Sequence, residues 1–269
     1  MSRSPLGALP PLGGRRFERI ANLFLVGEVG STNVLAKDLL ERLIADDTEM
    51  PVTAIVATSQ VSGRGRAGRQ WKEAPGGSVA LSLVVPWPEG EERVRLPVTA
   101  GVAVARGLTE RLGVDVRLKW PNDLLVCRKK VGGLLVEARA LDEGYGFAIV
   151  GVGLNVGATR EELDALGLPD ATSLREAGAA LASGESVLVS LVEALDEALS
   201  PDGTGFLPLP DVPEAFAAHS AHRSGDPITV HDSGRVVAGT YLGVTRDGFL
   251  RLATASGAET VLSGDVVAF

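Results

Sequence analysis

Cysteine is almost absent from this 269-residue chain, with Cys127 the only one. A single thiol excludes an internal disulfide framework and any cysteine-rich metal site, and it suits a reducing compartment, so a cytoplasmic location is expected. Histidine is nearly as scarce: His219, His222 and His231 all fall in the C-terminal fifth. His219 and His222 stand three apart at helical spacing, yet no carboxylate or cysteine follows at metal-ligand spacing. All three are expected at the surface, and no protein-held metal is expected. Long apolar runs are missing as well. No stretch reaches the ~18–20 apolar residues of a membrane span, and the opening "MSRSPLGALPPLGGRR" lacks a signal-type apolar core, so neither span nor leader is expected. Positive charge is also short: the net charge of −8 disfavours general adhesion to nucleic acid or anionic lipid, so a basic cluster has to be local and specific.

What is present is an ordinary globular balance, 45% hydrophobic and 22% charged, long enough for one large unit and a smaller one. Residues 1–22 read as a loose Pro/Gly-rich tail. Leu23 to Val26 form a short apolar strand, and Ser31, Thr32 and Asn33 precede an amphipathic helix ending about Ala45, since their side-chain oxygens suit a helix N-terminus. Runs 53–60 and 78–85 are strand-like, and residues 96–112 carry apolar positions at helical spacing. Strands are expected over 114–120, 123–140 and 146–155, with further helices after residue 172. The fold class is thus α+β, a central sheet with helices packed on it over 23–222. From 225 to 269, short alternating strands separated by Asp-Ser-Gly, Arg-Asp-Gly and Ser-Gly turns read as a small β-barrel.

Four stretches carry potential chemistry. "SGRGRAGRQW" (62–71) joins two strands and alternates glycine with arginine; glycines let backbone N–H groups approach an oxyanion, and guanidinium forks bind carboxylate or phosphate bidentately. The same run also fits a solvated hairpin or an RGG-type nucleic-acid segment, and it is not a Walker loop. "LKWPNDLLV" (118–126) offers the Asn122 amide and Asp123 carboxylate at a proline-held turn, suited to a purine edge or a cation, or simply to an Asx-capped turn. "KKVGGLLVEAR" (129–139) sets an ammonium beside Gly132 and Gly133, which fits either close approach by a ligand or a glycine bulge with solvated lysines. In "GVGLNV" (151–156) two glycines again permit close approach.

Taken in order, "GSTN", "SQVSGRGRAGRQW", "LKWPNDLLV", "KKVGGLLVEAR", "GVGLNV" and "ATSL" closely resemble biotin protein ligases, strongly over about 25–175 and more loosely to 269. The resemblance implies a catalytic unit with a mixed central sheet like that of class II aminoacyl-tRNA synthetases, followed by an SH3-like barrel. It implies an ATP-dependent, AMP-forming enzyme that makes biotinyl-5′-AMP from biotin and ATP, with Mg2+ carried mainly on the ATP phosphates. The biotinyl group then passes to a lysine of the biotin carboxyl carrier protein of acetyl-CoA carboxylase or a related carboxylase. By motif match, biotin contacts are expected at Ser31, Thr32, Asn33, Gln60, Gly63, Arg64, Lys130, Gly132 and Gly133. ATP or adenylate contacts are expected at Arg66, Trp71, Lys119, Asn122 and Asn155, and catalytic roles at Arg66, Lys130 and Asp123. The resemblance leaves a homodimer open. Only about 22 residues precede the first strand, so a monofunctional ligase that does not bind DNA is expected. Asp265 matches an acidic position of the family's tail. A lipoate-protein ligase-like enzyme is the nearest alternative, and a non-enzymatic nucleic-acid-binding protein the alternative of another class.

Overall fold

The computed structural model describes residues 17–48, 50–74, 76–87, 92–141, 146–179, 183–232 and 234–268. The Pro/Gly-rich opening to residue 16, the acidic stretch ending at Glu91 and the terminal Phe269 lie outside them. Strand β1 (Asn22–Val29) leads into helix α1 (Thr32–Ala45), and β2 (Thr53–Gln60) then pairs parallel to β1, a pairing that needs such a crossover. A two-residue hairpin follows, β3 (Gly63–Arg64) with β4 (Gln70–Trp71). The chain continues through β5 (Ser78–Pro86), α2 (Glu92–Leu112), β6 (Arg117–Lys119), β7 (Asp123–Val126), β8 (Lys129–Ala140) and β9 (Gly146–Asn155). The seven-stranded sheet has the order β1-β2-β5-β9-β8-β7-β6, antiparallel everywhere except between β1 and β2, so the mixed sheet is as expected.

Helices α3 (Arg160–Ala165), α4 (Gly184–Ala198) and α5 (Val212–His219) follow, and then β10 (Pro227–Asp232), β11 (Arg235–Val244), β12 (Leu250–Thr254), β13 (Gly257–Val261) and β14 (Asp265–Ala268). These last strands form an antiparallel sheet of order β13-β12-β11-β10-β14. It is tied to the large sheet by the Ala221 N–H donating to Leu118 O at 2.8 Å and by the Trp120 indole N–H donating to Gly248 O at 3.0 Å.

Alternation along each strand sorts its residues between two helical layers. Ala54, Val56, Leu81, Leu83, Val150 and Val152 are buried in the cluster that includes Leu108 of α2 and Leu188, Leu191 and Leu195 of α4. Their neighbours Ile55, Val84 and Ile149 face the other way and pack with Ala36 and Leu40 of α1. Among the described residues no helix is long and apolar enough to cross a membrane.

Two expectations are corrected. Residues 17–21 are not a loose tail: the Glu18, Arg19 and Ile20 N–H groups donate to the Asp196 carboxylate of α4 at 3.0, 2.9 and 2.7 Å, and Ile20 is buried. The strand expected over 114–120 shrinks to Arg117–Lys119, because the Val116 N–H is taken by the Thr109 hydroxyl at the end of α2 instead of a neighbouring strand.

Candidate active site

The floor of the site comes from a change of side-chain size along β9. On the face toward α2, Ala148, Val150, Val152 and Leu154 are all buried. On the face toward α1, Phe147 and Ile149 give way to Gly151 and Gly153. A Cβ at Gly151 would overlap the Asn33 amide, and one at Gly153 would lie 2.7 Å from the Trp71 ring. Here the glycines are required by close approach: they let α1 and the arginine hairpin lie directly on the sheet. Register aligns Ser82, Gly151 and Leu135 in one cross-strand row and Gly153, Gly133, Asp123 and Lys119 in the next.

One wall is the first turn of α1. Ser31 sits at the N-cap with extended backbone but makes no side-chain cap bond. A helix start leaves N–H groups without intrahelical partners; here Gln60 Oε1 accepts from the Thr32 N–H at 2.8 Å and from its hydroxyl at 3.1 Å. The Ser82 hydroxyl lies 2.7 Å from Thr32 Oγ1 and 2.6 Å from Asn33 Oδ1, and Asn33 Nδ2 donates to Glu137 at 2.8 Å. Arg64 pairs with the same Glu137 at 3.1 Å. The neutral polar side chains of this wall are therefore fixed against one another.

The opposite side is cationic. Between β3 and β4 the chain makes a 3-10 turn over Arg66–Gly68, with Ala67 and Gly68 at positive φ. Arg66 Nη1 donates to Asn122 Oδ1 at 3.3 Å and to Gly264 O at 3.2 Å, and lies 3.4 Å from Asp265; Arg69 pairs with Asp265 at 2.9 Å. Asn122 is held in turn by donating to Leu134 O at 2.6 Å. Register slips between Leu124 and Leu125, and beside that bulge Lys130 reaches Asp123 at 2.5 Å, with Lys119 on the second Asp123 oxygen at 3.7 Å.

Ser31, Thr32, Asn33, Gln60, Arg64, Arg66, Trp71, Asn122, Asp123, Lys130 and Gly133 all line this one cleft, so most of the expected residues meet. Four lie off its lining, each for a packing reason. Gly63 sits beneath the hairpin, where a Cβ would be 2.8 Å from Trp71 O, and Gly132 faces Gly153 O and Leu154. Lys119 stands behind Asp123, and the buried Asn155 turns its amide to Thr172 O at 3.1 Å. Sequence reasoning missed Ser82, Glu73 and Glu137. In the sequence they are an ordinary strand serine and two acids that look solvated.

The histidines are partly corrected. His231 is exposed as expected and His219 is half-buried, whereas His222 is buried at 3% exposure with its ring 5.5 Å from that of Tyr241, where the two sheets meet. Burial pushes its pKa down to about 4; Asp226 opposes that fall, and Lys119 and Arg128 add to it. Burial raises the Tyr241 phenol in the same place. Among the described residues no group of three or more His, Cys, Asp or Glu is placed to hold a metal ion.

A polar cleft floored by glycine and rimmed by cations, on a mixed sheet with a β-rich appendage, corresponds to a known class. The model described as Biotin/lipoate A/B protein ligase family matches residues 31–155, and that described as Biotin protein ligase C terminal domain matches residues 224–268. The biotin–[acetyl-CoA-carboxylase] ligase of Paracoccus denitrificans is 30% identical over 227 residues, covering 79% of this chain and 88% of that protein. The bifunctional ligase/repressor BirA of Bacillus subtilis is 29% identical over 229 residues, covering 83% of this chain and 68% of that protein. Among solved structures, the biotin protein ligase from Aquifex aeolicus in complex with biotin and ATP aligns with a TM-score of 0.67 at 27% identity, covering 92% of this chain and 98% of that one. The chain belongs to the biotin protein ligase family and is a ligase enzyme of that kind.

Proposed function

We propose that this enzyme condenses biotin with MgATP to biotinyl-5′-AMP and pyrophosphate, and then passes the biotinyl group to a lysine of a biotin carboxyl carrier domain such as that of acetyl-CoA carboxylase. One observation carries the reading: Arg66 and Lys130, from separate parts of the chain, line the same cleft as the neutral wall of Thr32, Asn33 and Gln60. The name of the Paracoccus relative and the biotin and ATP held by the Aquifex ligase support it.

In the first step a biotin carboxylate oxygen attacks the α-phosphorus, and the bond to the β-phosphate oxygen breaks. Two anions have to meet, so cations placed between them lower the barrier, most strongly as charge moves onto the departing pyrophosphate. Arg66 and Lys130 take that position, while the uncharged wall at α1 receives the neutral ring system of biotin. Trp71, lying on Gly153, offers its ring face to the adenine, and Asn122 offers its amide to the adenylate. Magnesium belongs to the nucleotide substrate, since Asp123 is engaged by two lysines. The arginine hairpin covers the mixed anhydride and keeps water from it.

In the second step a neutral lysine amine attacks the acyl carbon and AMP leaves. Lys130 is paired with Asp123 in this structure; once it moves to the substrate anions, Asp123 is left to take the proton from the incoming amine. The test is pyrophosphate and adenylate formation from biotin and MgATP without an acceptor. Lys130→Ala should lower adenylate formation ~100-fold or more, whereas Arg66→Gly should still form adenylate, more slowly than the unaltered enzyme, and release it faster. No biotin-dependent pyrophosphate from the unaltered enzyme refutes the activity, and an unchanged adenylate off-rate in Arg66→Gly refutes the covering role.

A further inference from the structure

The orientation of the Gln60 amide is set by a carboxylate outside the cleft lining. Glu73 lies two residues past Trp71, where the chain leaves β4. One of its oxygens accepts from Gln60 Nε2 at 2.7 Å and the other from the Gln60 backbone N–H at 3.0 Å. A carboxylate only accepts, so the amide end it faces has to be the nitrogen. Gln60 Oε1 is thereby turned to the start of α1, where it accepts from the Thr32 N–H and hydroxyl. The Gly63 backbone closes over Nε2 on the remaining side, since a Cβ there would be 3.1 Å from it.

The consequences extend beyond one side chain. Thr32 is hydrogen-bonded to Gln60 and lies against Ser82, and Ser82 lies against Asn33. Asn33 is fixed at its other end by donating to Glu137. Two carboxylates thus hold the two ends of a hydrogen-bonded chain that forms the neutral wall of the cleft. Each charged acceptor fixes one amide, Glu73 that of Gln60 and Glu137 that of Asn33. Without Glu73 the Gln60 Nε2 loses its acceptor and the backbone N–H its partner, so the amide is free to rotate, which leaves the Thr32 N–H at the helix start facing either end of the amide.

Resting on the biotin ligase reading above, we propose that Glu73 is a positioning residue for the acyl substrate. It fixes the polarity of Gln60, and through Gln60 that of Thr32, so that the wall presents one pattern of donors and acceptors to the neutral polar ring of the substrate. It acts through Gln60, to whose amide and backbone N–H it is bonded, while Arg66 is engaged by Asn122 and Asp265 and Lys130 by Asp123. Its loss therefore weakens recognition of the ring and leaves the adenylation chemistry intact.

The experiment is steady-state adenylation by the full chain, with Glu73→Gln compared to the unaltered enzyme. This substitution keeps shape and volume but replaces one acceptor with a donor. The KM for biotin should rise about tenfold or more, as expected for losing a charge-assisted hydrogen bond, while kcat and the KM for MgATP stay within about twofold. Glu73→Asp keeps the charge but shortens the reach, so a smaller rise confined to biotin is expected; it serves in place of Glu73→Gln if that variant does not fold. An unchanged biotin KM overturns the proposal, as does an equal loss in kcat and in both KM values, which is the signature of a merely structural role. If the unaltered enzyme makes no biotinyl adenylate, it is the biotin ligase reading that fails, and the two failures are distinct.

Discussion

At the residue scale the cleft depends on what individual side chains leave uncovered. Gly151 and Gly153 were legible as places of close approach, but what approaches them was not: Asn33 and Trp71 lie far away in sequence. Arg66, Lys130, Asn122 and Asp123 were singled out by the resemblance that their motifs carry when taken in order, since each motif alone also fits a turn or a solvated loop. Glu73 and Glu137 were not, since an acid within two residues of a lysine or arginine in sequence looks like any solvated pair. His222 was misjudged because local helical spacing says nothing about a tyrosine arriving from another sheet. Its burial makes a pH prediction. The folded ring titrates near 4 and the unfolded ring near its ordinary 6.5, so the unfolded chain binds the proton first. The stability due to this group is fully present above about pH 6.5 and is lost as pH falls toward 4. Melting temperature measured from pH 7 to 4 should drop more steeply for the unaltered protein than for His222→Phe. Parallel curves would contradict this.

At the element scale, patterning placed α1 and most strands to within a few residues, because each has a clear period and turn residues at its ends. What patterning could not see is tertiary satisfaction of backbone groups. The segment before β1 continues a Pro/Gly-rich opening and reads as tail, yet the Asp196 carboxylate accepts three consecutive N–H groups from it and fixes its path over α4. Asp196 is itself buried, at 6% exposure, on a largely apolar helix face, and a carboxylate placed among Val192, Leu195 and Leu199 is the sequence hint of such a partner. Replacing it leaves the buried Ile20 N–H and two partly buried donors unpaired, so Asp196→Ala should lower unfolding free energy by about 3 kcal/mol. Urea denaturation would show this as a lower midpoint at unchanged slope, and an unchanged midpoint would contradict the anchor.

At the scale of the whole molecule, the arginine hairpin bridges the two sheets. Arg66 and Arg69 reach Asp265 at the start of β14, while Arg64 is held by Glu137 of the large sheet. These pairs are partly exposed, so each adds little to global stability; what they contribute is the position of a glycine-rich segment over the cleft. Arg66 and Arg69 thus share one anchor in the C-terminal sheet while Arg64 has another in the large sheet, and the C-terminal sheet is part of the site's enclosure. Such long-range pairing is invisible to periodicity and spacing. The central claim is that this enclosure serves biotin transfer to protein. The most direct measurement is intact-mass analysis of a biotin carboxyl carrier domain incubated with the enzyme and MgATP, with biotin or lipoate in parallel. The account predicts one biotinyl group on one lysine and no lipoyl addition. An unmodified carrier domain, or lipoylation in place of biotinylation, would contradict it.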